Sequence, residues 1–358
     1  MVKSKVDDNI FRYLKWRSDL TFEQDKFNEV DGLIISELTF LELMIDEVKD
    51  AKPLKEALAP YLDRNKDKKI NLGFMIPEDC LKLAPLLSKS KRFENGIISN
   101  FEKIYNEKTV EQFCALTYHV SDELMVVAFQ GTDDTLIGWE ENFDMISVFP
   151  VPAQIAAKSY VDKLHELYPN KDIITVGHSK GGNLSVYSGL YAEQGTKEKI
   201  IKIYNYDGPG FEAGDVSDEI INESAQKVIN IVPYHASVSM IFNTIGKIKS
   251  VKSNERGLLQ HNGFSWIVEG KKFVRTPLSN DSINFNKALN EFFIEIDEDT
   301  RKELLSAFND YVESLNTKTL VELSKSGLKA IASYNKLPKR QKQLIMRFIQ
   351  IFIKHNMV

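Results

Sequence analysis

The chain has 358 residues, 43% hydrophobic and 27% charged, which is typical of a globular protein with two domains or one large α/β domain and an extension. Its formal net charge of −5 argues against broad electrostatic affinity for nucleic acid, so we expect no nucleic-acid partner. The amino terminus lacks the apolar core of a signal peptide, and no long apolar run predicts a membrane span. Cys80 and Cys114 match neither a disulfide framework nor a metal site, so we expect buried thiols in a cytoplasmic protein.

The first hundred residues are predicted to be mainly helical. Residues 7–50 have apolar side chains near helical spacing, Leu43 and Ile45 among them. Residues 51–100 contain four prolines, at positions 53, 60, 77 and 85, which break this segment into short helices. We therefore predict a helical N-terminal region over residues 1–100 that packs on the core, with no catalytic residue among residues 51–100.

The sheet is predicted to begin near residue 110. Residues 112–120 and 124–129 are two apolar strands joined by a short turn, which is typical of a hairpin. Gly131 and Thr132 follow the second strand directly. In a G-x-S-x-G hydrolase a loop at this place supplies one donor of the oxyanion hole, and the N–H of Lys180 would supply the other. The alternative for Thr132 is an ordinary polar turn.

The segment from 137 to 156 is aromatic and apolar, and two interpretations stay open for it. It is either part of a lid over the site or a packed crossover, and the crossover is favoured. Residues 156–168 then predict an amphipathic helix that leads into the next strand.

Ser179 lies in a pattern that favours a catalytic serine. An apolar strand at 173–176 precedes Gly177-His178-Ser179-Lys180-Gly181, and a segment compatible with a helix follows. A sharp turn between strand and helix is the setting of a nucleophile elbow, in which Ser179 stands exposed at the edge of the sheet. His178 is expected to point away from the substrate. The alternative is a glycine-rich turn with an incidental serine.

Two further strands, at 200–206 and 227–233, alternate with helical segments and so predict a mostly parallel sheet. Loops at the carboxyl ends of parallel strands usually carry function, and Thr132, Ser179 and Asp207 all fall there. The chain order of α/β-hydrolases places the histidine last, which leaves His235 and His261, and the loop position favours His261 over a surface histidine. Residues 265–268 look like a strand after this loop.

The acid that orients His261 is predicted to be Asp207, because it ends a strongly apolar strand on the correct edge of the sheet. The alternative is that Asp207 caps its own turn, with the acid then coming from Asp215 or Glu255 or the site working as a Ser–His dyad.

The chain from about 284 onwards is again helical in pattern. We predict a core over residues 101–280 and a helical C-terminal extension over 281–358 that packs on it. Contact of its basic amphipathic helix with a membrane surface is the less favoured alternative. The apolar positions behind this prediction are 288, 289, 292, 293, 304, 305, 308, 311, 312, 315 and those of the segment 341–353.

Several segments in order resemble the bacterial Mbeg1-like family, a domain of unknown function within the α/β-hydrolase superfamily. The segments are 27–31, 131–134, 138–143, 177–183, 207–211 and 260–266. More distantly the chain is similar to class 3 lipases. The resemblance implies a mostly parallel sheet flanked by helices, with Ser179 as nucleophile, Thr132 as an oxyanion residue and His261 as base.

The chain departs from class 3 lipases at two positions. His235 stands where those lipases carry the acid, and Lys180 replaces an apolar residue, which would put a cation beside the nucleophile. We expect a serine hydrolase of acyl esters or lipids that requires no metal or cofactor. One alternative is a non-catalytic binding or scaffold module on a hydrolase fold, and another is acyl transfer to an acceptor other than water.

Overall fold

The computed structural model describes residues 8–41, 51–66, 76–297, 299–303 and 338–356, and single residues 68, 70, 72 and 306. An eight-stranded sheet forms its centre, with the strands side by side in chain order. They are β1 Lys52–Pro53, β2 Ile97–Asn106, β3 Glu111–His119, β4 Leu124–Phe129, β5 Asp172–His178, β6 Ile200–Tyr206, β7 Val228–Pro233 and β8 Lys247–Val251. Strands β1 to β4 pair antiparallel, β4 to β8 pair parallel, and the predicted β3–β4 hairpin is confirmed.

Helices cover both faces of this sheet. They are α1 Ile10–Arg17, α2 Glu29–Leu38, α3 Leu54–Asn65, α4 Leu83–Leu87, α5 Leu136–Asp144, α6 Pro152–Leu167, α7 Lys180–Tyr191, α8 Gln194–Lys199, α9 Asp218–Ser224, α10 Asn280–Glu295 and α11 Lys339–Asn356. In β4 the two faces are visible in the sequence, because Val126 and Ala128 enter one core cluster while Met125, Val127 and Phe129 enter the other. A strand buried on both faces reads as such a continuous apolar run.

The N-terminal helices form one layer. Helix α2 begins at a capping box between Asn28 and Asp31, and all of its residues are buried against the sheet. Asp31 also forms a fully buried ion pair with Arg92, at 2.6 Å. Helices α6 and α7 pack on the opposite face, where they connect successive parallel strands.

The C-terminal helices cover the end of the sheet near β7. Phe285, Leu289 and Phe292 of α10 pack with Val232 and Met240 in a third core cluster. The guanidinium of Arg347 on α11 lies 5.3 Å from the centre of the Phe292 ring. The predicted apolar positions at 43, 45, 304, 305, 308, 311, 312 and 315 lie outside the described residues.

The structure differs from the sequence-based expectation in its strand assignments and agrees with it on the cysteines. Strand β2 lies partly in the region predicted to be helical, because antiparallel pairing with β3 stabilises a segment without strong alternation of its own. Residues 265–268 are not one strand: a 3₁₀ turn covers Gly263–Ser265, and the short strands β9 Val268–Glu269 and β10 Lys272–Phe273 form a small hairpin. Cys80 and Cys114 are both buried, as expected.

The architecture confirms the predicted fold class. A mostly parallel sheet, helices on both faces and helical segments at both ends make an α/β-hydrolase-like fold. Among the described helices, none has both the length and the apolar content that crossing a lipid bilayer requires.

Candidate active site

Ser179 lies in a sharp turn between β5 and α7. Its backbone angles are φ 58° and ψ −132°, a region that costs about 1–3 kcal/mol for a non-glycine residue and is typical of functional sites. The strand and helix approach closely: a Cβ on Gly177 would lie 2.0 Å from the carbonyl oxygen of Gly181, and one on Gly181 would lie 2.2 Å from that of Phe129. Only glycine allows this turn, which explains the two glycines that flank Ser179.

The hydroxyl of Ser179 is not engaged. Its side chain is half-buried and makes no hydrogen bond to any described residue, while its backbone N–H donates to the carbonyl of Tyr206 at 2.9 Å. The amino terminus of α7 lies directly behind it, and this end of a helix favours negative charge.

Asp207 and His261 are hydrogen-bonded to each other although 54 residues separate them. Oδ2 of Asp207 lies 2.7 Å from Nδ1 of His261, and Oδ1 accepts the hydroxyl proton of Ser239 at 2.5 Å. Asp207 is completely buried, and the His261 side chain is 19% exposed. The carboxylate therefore holds one ring nitrogen, while Nε2 of His261 forms no hydrogen bond within the described part of the chain.

Asp207 reaches this position because β6 ends beside the Ser179 turn. Its φ is 49°, and its backbone N–H donates to the carbonyl of Ile231 in the neighbouring strand. Its carboxylate bonds His261 and Ser239, which are distant in sequence, rather than capping its own turn. Asp215 instead accepts the N–H of Glu212 at 3.1 Å.

His261 ends a 3₁₀ turn, Gly257–His261, that is anchored on several sides. The indole N–H of Trp266 donates to the carbonyl of Gln260, and the side chain of Gln260 accepts the N–H of His235. His235 is thus buried behind the turn. The imidazole of His178 stacks on that of His261 with 4.7 Å between ring centres.

The loop after β4 lies against Ser179. A Cβ on Gly131 would meet the Cβ of Ser179 at 3.3 Å, so the loop passes the serine in van der Waals contact. The backbone N–H groups of Thr132 and Lys180 donate to no other described residue, as expected of two groups available to a ligand. The hydroxyl of Thr132 accepts a hydrogen bond from the amide of Asn142 at 2.6 Å, which leaves its own hydrogen free to donate.

The side chain of Lys180 corrects one expectation. It does not place a free cation beside the nucleophile: it is 1% exposed, and its ammonium group lies 2.5 Å from Oε2 of Glu141 and 2.7 Å from the carbonyl of Gln112. A buried ammonium group requires such a partner, because burial without one is costly.

Burial, together with the charge of Glu141, raises the pKa of Asp144 to about 6.

Three residues near the site carried no role in the sequence-based prediction. Ser239 has no recognisable signal, since it lies in a short 3₁₀ turn far from Asp207 in sequence. Asn142 lies within the family-like segment 138–143, and His178 within the serine motif. Residue types alone do not reveal these contacts, because each depends on a partner from another element.

Solved structures of fungal lipases resemble the fold at low sequence identity. The triacylglycerol lipase of Penicillium expansum is 14% identical, with a TM-score of 0.33, and the match covers 52% of this chain and 76% of that chain. The Lip2 lipase of Yarrowia lipolytica is 13% identical with a TM-score of 0.36, covering 71% of this chain and 87% of that one. The Rhizomucor miehei lipase in its propeptide complex is 11% identical with a TM-score of 0.36, covering 64% and 70%.

Comparison with curated protein sequences returns no match. A model of the Mbeg1-like family, by contrast, matches residues 87–310, which include all of the site residues described above and well over half of the chain. The chain therefore belongs to the Mbeg1-like family.

Proposed function

We propose that the protein is a serine hydrolase that cleaves acyl esters through Ser179, His261 and Asp207. The hydrogen bond between Asp207 and His261, beside the strained turn of Ser179, is the observation that carries this proposal. A buried carboxylate on one ring nitrogen leaves the other nitrogen with a lone pair, which is the form of histidine that a general base requires.

The proposed reaction has two halves. Nε2 of His261 takes the proton of the Ser179 hydroxyl while Oγ attacks the acyl carbon, and the N–H groups of Thr132 and Lys180 stabilise the oxyanion. The imidazolium then protonates the leaving alcohol, which gives an acyl-enzyme. A water molecule, deprotonated by the same nitrogen, attacks the acyl carbon, and Ser179 recovers its proton as the acid leaves. Asp207 stabilises the imidazolium in both halves. No step requires a metal or cofactor.

The main alternative, a non-catalytic module, is based on the fact that a fold does not fix function, and the histidine at the lipase-like acid position gave it some weight. The pairing of His261 with Asp207, one strand earlier, supports a site with its own acid and reduces the weight of the argument from His235. The two candidates differ in one respect that can be measured: only a hydrolase needs a reactive hydroxyl at Ser179.

The surroundings of His261 support an apolar acyl substrate. Leu258 and Leu259 lie in the same 3₁₀ turn and are 41% and 66% exposed, while Lys252 and Arg256 nearby are exposed cations. Exposed apolar side chains next to basic ones suit a lipid or lysolipid at an anionic membrane surface. The proposed substrate class is therefore acyl esters, with longer chains preferred over acetate.

Labelling of Ser179 tests this proposal. A fluorophosphonate probe should modify wild-type protein at Ser179, and Ser179→Ala should neither react nor hydrolyse p-nitrophenyl esters while keeping its thermal transition. The chain-length series from acetate to decanoate then identifies the preferred acyl group. Absence of labelling in the folded wild-type protein, or unchanged turnover by Ser179→Ala, would refute the proposed hydrolase.

A further inference from the structure

His178, the last residue of β5, makes two polar contacts through its ring nitrogens. Nε2 lies 2.8 Å from the backbone carbonyl oxygen of His261, and Nδ1 lies 3.0 Å from Oε1 of Glu37 on α2. A carbonyl oxygen only accepts hydrogen bonds, so Nε2 carries a proton. The contact of Nδ1 with the Glu37 carboxylate is an ion pair, and Oε1 accepts a hydrogen bond from no other described residue.

A proton must also lie between His178 and Glu37. Both groups are almost completely buried, and an unprotonated nitrogen facing a carboxylate oxygen at 3.0 Å would bring two lone pairs together. The groups that face this pair are Asp207, the His261 ring and Cys80, whose thiol donates to the other oxygen of Glu37 at 3.5 Å. Burial lowers the pKa of His178, but Glu37 and then Asp207 and the carbonyl of His261 raise it, and the net shift is upward.

The position of these contacts gives His178 a consequence for catalysis. It directly precedes Ser179 in the chain, and its ring bonds the backbone of His261, which is 83 residues away. One side chain thus joins the segment of the nucleophile to the segment of the base. Small displacements between reacting groups are costly, since an error of about 1 Å can lower the rate about 100-fold.

We infer that His178 is a positioning residue: its Nε2–H holds the carbonyl of His261, and its contact with the Glu37 side chain orients the ring for this task. Helix α2, which carries Glu37, thereby helps to set the distance between Ser179 and the base. The inference rests on the proposed hydrolase function for its kinetic effect, but the anchor itself is a property of the folded chain.

Two substitutions at His178 separate its contacts. In His178→Gln the side-chain amide lies near the position of Nε2 and keeps a donor for the carbonyl of His261. In His178→Asn the shorter side chain keeps a donor only for Glu37. We expect kcat to fall about 100-fold in the Asn variant, with KM within about two-fold of wild type. In the Gln variant the reduction in kcat should be at least ten-fold smaller. Equal losses in the two variants, or a loss confined to KM, would overturn the inference.

Glu37→Gln serves as the control for charge. The amide that this substitution introduces can donate to Nδ1 of a neutral imidazole, so the Nε2–H bond to His261 persists and kcat should stay within about three-fold of wild type. The pH dependence of stability should change, because a raised folded-state pKa of His178 stabilises the wild type below about pH 6.5 and this stabilisation is lost as the pH rises through the folded-state pKa. A kcat loss in Glu37→Gln as large as that in His178→Asn would contradict the anchor through Nε2.

Hydrogen exchange tests, independently of catalysis, whether His178 holds the backbone of the His261 turn. Amides of residues 257–262 should exchange at least ten-fold faster in full-length His178→Asn than in His178→Gln or Glu37→Gln at the same temperature and pH. Unchanged exchange in all three variants would overturn the inference even if the protein is an esterase. Faster exchange in the Asn variant of a protein without esterase activity would support the anchor and refute the proposed function instead.

Discussion

At the scale of single residues, the site depends on how Asp207 is held. The carboxylate is buried and has two partners: His261 on one oxygen and Ser239 on the other. Because each oxygen is engaged, the carboxylate cannot rotate without breaking a charge-assisted hydrogen bond. Asp207 is thus positioned by a residue outside the proposed triad, and the two contacts can be tested separately.

Asp207→Asn should lower kcat about 10⁴-fold with little change in KM, because an amide at this place favours the wrong tautomer of His261. Ser239→Ala removes one hydrogen bond to a charged group, which is worth about 1.5–3 kcal/mol. This variant should therefore lower kcat at most about 100-fold. Steady-state kinetics with one soluble ester measures both. A near-normal kcat in the folded Asn variant would show that Asp207 is not the acid.

At the scale of elements, helix α5 decides between the two interpretations of the segment 137–156. Glu141 is completely buried: one oxygen accepts the N–H of Ala153 at the start of α6, and the other accepts from Lys180 and from the N–H of Gln112 in β3. The buried carboxylate thus bonds helix α5 to β3, α6 and α7. A helix held in this way is a packed crossover rather than a lid that opens freely.

Lys180→Met should destabilise the protein by about 3–5 kcal/mol, because it leaves the carboxylate of Glu141 buried without its cation. Adding Glu141→Gln removes the unpaired charge, so the double variant should be more stable than Lys180→Met alone. Denaturation by urea, followed by circular dichroism, measures the free energy of unfolding of both. If Lys180→Met lowers the free energy of unfolding by less than about 1 kcal/mol, the ion pair between Lys180 and Glu141 does not hold α5 in place.

At the scale of the whole molecule, the terminal segments complete the core. Val30, Leu33 and Ile34 of α2 are fully buried against the sheet. Asn286 of α10 donates to the carbonyls of Met240 and Phe242, next to the turn that carries Ser239. The N-terminal region and the C-terminal extension therefore both supply buried contacts that residues 101–280 alone lack.

We predict that a fragment of residues 101–280 does not fold cooperatively. Each of the three apolar side chains of α2 contributes roughly 1.5–3 kcal/mol by burial, and the fragment would expose their binding surface. Thermal unfolding by circular dichroism and binding of a hydrophobic dye would measure this, with the full chain as control. A sharp thermal transition of the isolated fragment would instead show that the predicted core is an independent domain.

Local pattern determined much of this protein. The apolar runs predicted β4, β6 and β7, and two glycines around Ser179 predicted the turn between β5 and α7, because burial on both faces and close backbone approach restrict residue types directly. Asp207 was predicted to be the acid from its place at the end of a strand, and Asp215 and Glu255 remained open as alternatives. Strand β2 was not predicted, and the segment 265–268 was wrongly predicted to be one strand, because both conformations depend on neighbouring segments.

Only the tertiary structure decided the contacts that join distant segments. Asp207 meets His261, His178 holds the carbonyl of that same residue, and Lys180 turns away from the site into an ion pair with Glu141. Each of these side chains had several partners of suitable chemistry in the sequence. Which partner it meets depends on the register of neighbouring strands and the packing of helices over them, since hydrogen bonds and ion pairs form only at contact distance.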